Sequence, residues 1–266
     1  MIPQLKKFLP EIIHFTQALN HDYSAGSLDN WGELDRRVKL FYTQPMLNKV
    51  NAVIPCWETM ANYRDGVTLT HVSAVLMGLY RDADYLAMTE QQQAILEWAV
   101  MFHDVAKVVP DGEYRHDAIH AFRSAAVAGL ALPHLGFAVT DTERLQSWSD
   151  TLYNAIEPYP KVKFRQDNTK LPFIMCELDA LYEPSAAMLI KAVMLHMSIK
   201  TNPEYPTLAP LTDDEIKHYI SPEFYPILRV MMLVDCDGWE LFREDRAYRR
   251  HVTQAFNQIA MLMPFR

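Results

Sequence analysis

The chain has 266 residues, half of them hydrophobic, with 16 Pro, 8 Gly and a formal net charge of −8. That length buries a sizeable core in one large domain or two small ones. The acidic balance argues against extended nucleic acid or an anionic membrane as partner, yet it still allows a small phosphorylated substrate held at a local positive site.

The opening "MIPQLKKFLPEIIHF" lacks a long apolar core and a small-residue cleavage site. No stretch approaches the eighteen or so uncharged apolar residues of a membrane span. Residues 1–65 read as a helical N-terminal layer. Apolar residues then recur at three-and-four spacing. "LTHVSAVLMGLYRDADYLAM" predicts one helix, burying Leu69, Val72, Val75, Leu76 and Leu79. "TEQQQAILEWAVMFHDVAKV" predicts a second, capped by Thr89, with a stripe through Ile95, Leu96, Ala99, Val100 and His103. "HAFRSAAVAGLALPHL" follows, then "DTERLQSWSDTLYNAI" with Asp141 as its cap. Lys161 to Pro172 reads as a connector. "PSAAMLIKAVMLHMSI" opens on Pro184–Ser185, a favoured helix start. Thr201 to Pro222 is a second connector, containing a short capped helix at "LTDDEIKHYI". "PILRVMMLVDCDGWELF" and "EDRAYRRHVTQAFNQIAMLM" complete an all-α chain.

The simplest reading is one globular all-α domain over residues 1–266, with the layer 1–65, a core 66–245 and a C-terminal helix 246–266. Cys56, Cys176 and Cys236 are odd in number, widely spaced and without a CxxC pair. They suit neither a disulfide framework nor a zinc–thiolate site, which points to a reducing, cytoplasmic setting.

Five places put a metal-competent side chain into apolar helical sequence. These are His71 in "TLTHVSAVL", His103 and Asp104 after "AVMF", His120 opening "HAFRSAAVAG", His196 after "AVML", and Asp235 after "VMMLV". Burying an ionised carboxylate costs several kcal/mol unless a cation or good hydrogen bonds compensate. Each residue also has a plain reading. Asp104 can be an exposed helix-terminal residue, Asp235 a turn residue because "DCDG" looks like a helix end, and each His a satisfied core or surface residue. The order of the residues weighs against those plain readings.

A lone His, an adjacent His-Asp pair 32 residues later and a distant Asp after a hydrophobic helix form the pattern H…HD…D. This pattern resembles the HD-domain superfamily of metal-dependent phosphohydrolases. "HDVAK" is similar to that family's "HDIGK", "HAFRSAA" to its "HExxGA" segment, and "MMLVDCDG" to its closing aspartate helix. The resemblance implies a domain of HD type in which His71, His103, Asp104 and Asp235 hold one divalent metal. Imidazole and carboxylate without thiolate suit Mn, Fe, Co, Ni, Zn or Mg. Members with two metals add two histidines between the HD pair and the last Asp. His120 is the better first candidate, with His116 read as a loop or first-turn residue. The usual place for the second reads "LYNAIEPYP", without a histidine, which departs from the family pattern. His196 supplies it if residues 157–184 are an insertion, while His134 lies too close to His120. Two ions are preferred to one ion with His120 and His196 serving the substrate.

The resemblance implies hydrolysis of a nucleotide or other small phosphate ester by metal-activated water. Asp104 would accept a proton. Lys107, a turn beyond His103, is a candidate catalytic and phosphate-holding residue, and Arg123 a candidate phosphate clamp. Both cations also read as solvated helix residues. No motif selects the substrate: "HDxxED", "GYP" and "HDxGHxPFxH" are absent. Two alternatives stand beside hydrolysis. One is a di-iron oxygenase related to inositol oxygenase, which needs the full set H…HD…H…H…D. The other is a catalytically weak nucleotide-binding regulatory module. The Tyr, Trp and Met residues are spaced as core filling.

Overall fold

Fourteen α-helices and three short 3₁₀ turns account for most of the residues that the computed structural model describes, namely 2–107, 120–153, 170–201 and 210–263. Four helices form the N-terminal part: α1 (Pro10–Ser24), α2 (Trp31–Phe41), α3 (Gln44–Val53) and α4 (Trp57–Ala61). Next come α5 (Val67–Leu79), α6 (Ala83–Ala87), α7 (Glu90–Phe102), α8 (His120–Ala131) and α9 (Thr142–Tyr153). The last five are α10 (Leu171–Leu181), α11 (Pro184–Leu195), α12 (Asp213–Tyr219), α13 (Tyr225–Glu240) and α14 (Ala247–Leu262). Among the described residues there is no strand, only an isolated bridge between Val139 and Tyr182. No described helix is long and apolar enough to cross a membrane. The three cysteines are free.

The start signals act as the sequence suggests. Thr89 and Thr212 each form a reciprocal capping box, with Gln92 and Glu215. Asp141 accepts the backbone N–H of Arg144 at 3.0 Å, and Pro184 lies in the first turn of α11. The predicted helix 69–88 is instead two. It breaks after Leu79 and restarts at Ala83, because the Asp82 carboxylate accepts the backbone N–H groups of Asp84 and Tyr85 and so caps a new helix. Helix α10 begins where the connector was expected to end. Its start is an ordinary one, with Pro172 in the first turn, where the missing N–H costs nothing.

Helix α5 is the axis of the fold. It carries no charged Asp, Glu, Lys or Arg, and every residue from Thr68 to Leu79 is buried, as expected of a helix apolar on all sides. Helices α1, α2 and α4 pack on it from the N-terminal part, and α13 crosses it most closely. That approach depends on Gly238, where an added Cβ would stand 2.5 Å from Val75 Cγ2 and 2.8 Å from His71 Nδ1. On the other side α7 packs on α11, and α11 on α8. Helix α8 is held against α9 at Gly129, whose Cβ would meet the Trp148 ring at 2.6 Å and whose carbonyl accepts the Tyr182 hydroxyl at 2.6 Å. The helices that end or cross at this centre are the ones that carry the predicted ligands.

Candidate metal centre

Two of the candidate ligand histidines arise from the same local device. Both α7 and α11 end in an apolar run, "AVMF" and "AVML", and the next residue is His103 or His196. Each His keeps helical backbone angles as C-cap, so its side chain stays with the buried face. Each ring Nδ1 lies 2.7 Å from the carbonyl three residues earlier, Val100 or Val193. A carbonyl only accepts, so Nδ1 carries the proton and a neutral ring turns its Nε2 lone pair inward. Burial favours that neutral form. It lowers the His103 pKa and brings His196 down to about 3, with the neighbouring imidazoles adding to the effect at His196.

Beyond His103 the chain makes a tight turn that places Asp104 at 1% exposure, so the reading of Asp104 as a solvated helix end fails. The turn is pinned from α8, since Ser124 Oγ accepts the Ala106 N–H at 3.1 Å. The two Asp104 oxygens face different partners. Oδ1 lies 2.9 Å from His120 Nε2, which itself lies 3.3 Å from His196 Nε2. Oδ2 faces His71 Nε2 at 3.8 Å and His103 Nε2 at 3.7 Å, and accepts the Lys107 ammonium at 2.9 Å. Burial opposes ionisation of Asp104, but Lys107 together with the His103 and His120 imidazoles outweighs it and holds the carboxyl well below the usual range. In return Asp104 raises the Lys107 pKa against the cost of burying the ammonium.

Asp235 enters from α13. It does not end that helix: α13 runs on through Asp237 and Gly238 to Glu240, so "DCDG" is helical. The local preference of Asp and Gly for a helix end is overridden because Gly238 sits at the crossing with α5 and Asp237 pairs with Arg246 and Arg249. Asp235 Oδ1 lies 2.8 Å from His71 Nε2 and 3.7 Å from His103 Nε2, with its side chain 19% exposed. Burial would raise its pKa; the His71 hydrogen bond and the surrounding imidazoles lower it instead.

Donor atoms about 2.1 Å from one ion stand about 3.0 Å apart at octahedral angles and about 3.4 Å apart at tetrahedral angles. The separations of His71 and His103 from each other, from Asp104 Oδ2 and from Asp235, and of His120 from Asp104 Oδ1 and His196, run from 2.8 to 3.8 Å. Two buried groups can therefore hold a metal ion, His71–His103–Asp104 and Asp104–His120–His196, with Asp104 common to both. The chemistry agrees with the spacing, because inward lone pairs and two ionised carboxylates call for more positive charge than Lys107 provides.

All six predicted ligands converge, and His196 reaches the second group as the sequence allowed. His116 lies outside the described residues, as does most of "LYNAIEPYP". His134 stands in the 3₁₀ turn after α8. Lys107 is not a freely solvated lysine, with its side chain only 18% exposed. Arg123 is partly buried on α8, three residues beyond His120. Sequence reasoning overlooked Ser124, Gly238 and Trp239. The last is 39% exposed and lies flat on His71 instead of filling the core. The only hint was position, since Trp239 follows Asp235 by one helical turn. No family model, no curated protein and no solved structure matches this chain.

Proposed function

We propose that this protein is a metal-dependent phosphohydrolase of HD type, acting on a nucleotide or other small phosphate ester. The observation that carries this reading is the position of Asp104, one oxygen turned to each of two histidine groups. His71, His103, Asp104 and Asp235 would hold one divalent ion, and Asp104, His120 and His196 a second. Bound there, such ions acidify a water molecule and offset charge on the phosphoryl oxygens.

The chain's own residues supply the remainder. The Val100 and Val193 carbonyls keep His103 and His196 in the ligating tautomer. Asp104, ionised beside Lys107, presents one oxygen to each histidine group, and its part is to hold the ions. The Lys107 ammonium can turn from Asp104 to a phosphate oxygen, and Arg123 adds a guanidinium on the His120 side. The test is elemental analysis of untagged protein followed by a phosphomonoester and phosphodiester screen with Mn²⁺, Ni²⁺ or Mg²⁺. Hydrolysis that is lost in Asp104→Ala is the expected result; a metal-free protein inert toward every ester overturns the reading.

One observation favours a second reading. The arrival of His196 beside His120 completes the six-ligand set H…HD…H…H…D that a di-iron oxygenase requires. Anaerobic purification separates the two readings, because two irons per chain with O₂ uptake and no ester hydrolysis select the oxygenase.

A further inference from the structure

The ligand histidines are not all held in the same way. His103 and His196 are fixed by an Nδ1–H bond to a carbonyl, whereas His71 Nδ1 is buried with no hydrogen-bond partner. A ligand imidazole ordinarily owes its orientation to that second bond. At His71 the indole of Trp239 takes the place of such a bond. The two rings stack with centroids 4.1 Å apart and planes 15° apart. Gly238, the neighbour of Trp239, lets α13 approach until its backbone abuts Nδ1 and Cε1 of the same imidazole. Trp31, at the start of α2, lies 6.0 Å from the Trp239 ring and nearly parallel to it. The Lys107 ammonium stands 5.9 Å from that ring. Trp239 is 39% exposed while His71 beneath it is 1% exposed, so the indole is a layer between ligand and solvent.

We propose that Trp239 is a positioning residue of the metal centre: stacking holds the plane of His71 where the His103 and His196 imidazoles are held by carbonyls, and it keeps water off that ligand. The inference rests on the metal-site reading above. It predicts that an aromatic ring at position 239 matters more than its indole N–H, and that loss of the ring weakens metal binding by about tenfold, the low end of what outer contacts of ligands contribute.

The experiment is calorimetric titration of the chelator-stripped full chain with Mn²⁺, for wild type, Trp239→Ala and Trp239→Phe. Trp239→Ala is expected to bind about tenfold more weakly, and Trp239→Phe to stay close to wild type. An independent measurement uses only the folded, ring-retaining variant. Co²⁺ should quench the indole emission of wild type, and Trp239→Phe should lose most of that quench while taking up the same amount of Co²⁺. Equal Mn²⁺ affinity in all three proteins, or an undiminished quench in Trp239→Phe, overturns the assignment. Wild type that takes up neither ion refutes the metal-site reading itself, a result distinct from those two. Thermal unfolding of the stripped proteins measures the packing contribution of the ring separately from its effect on the ions.

Discussion

Asp104→Asn is the most searching substitution because it keeps the shape of the side chain and removes only its charge. In the metal-free protein the first consequence falls on Lys107, whose ammonium sits 2.9 Å from Asp104 Oδ2 at 18% exposure. At that distance and an effective dielectric constant of about 20, the attraction is on the order of 6 kcal/mol, much of it offset by the desolvation of both groups. Removing one partner of a buried pair typically costs about 3–5 kcal/mol, because the other charge is stranded. Lys107 retains some access to water, so the expected loss is near the lower end, about 3 kcal/mol. Urea unfolding in the presence of a chelator measures it, and Asp104→Asn with Lys107→Met should recover most of the loss. The second consequence falls on metal content. Both groups share Asp104, so elemental analysis should show both ions lost together, and the Lys107→Met change should not restore them. A single Asn variant that keeps its full metal content would refute the shared-carboxylate reasoning. Unchanged metal-free stability would refute the buried ion pair.

The remaining predictions concern the neutral imidazoles and the helix crossing. His196 titrates at about 3 in the fold, chiefly through burial, against about 6.5 in an unfolded chain. Between those values the unfolded chain binds the extra proton, so metal-free stability is full above about 6.5 and falls as the pH drops toward 3. Urea midpoints at pH about 7.5 and about 5 should show the gap, and His196→Asn should narrow it; an unchanged gap means that His196 is not held neutral. Gly238→Ala should destabilise the protein by about 1–3 kcal/mol despite the better helix propensity of Ala, since the new methyl meets Val75 and His71. A rise in melting temperature in that variant would show that the crossing is loose.

The sequence itself carries the all-α class and the ligand order, for local reasons. Three-and-four apolar spacing, the Thr89, Asp141 and Thr212 caps and Pro184 all act within one or two turns, so no distant contact is needed to see them. The six candidate ligands are nominated by their order along the chain, H…HD…D with His120 and His196 between, since each of them singly has a plain reading. Other features depend on contacts between residues far apart in the chain, and only the tertiary structure decided them. "DCDG" is helical because α5 lies against Gly238, not because of its own residues. His196 joins His120 because α11 packs on α8, bringing together residues 76 positions apart. Asp104 divides its oxygens between two histidine groups because four helices converge on one turn, and Trp239 covers His71 because α13 crosses α5 where it does. Spacing along a chain can nominate donors, but the distances that let them hold a metal ion exist only once the helices pack.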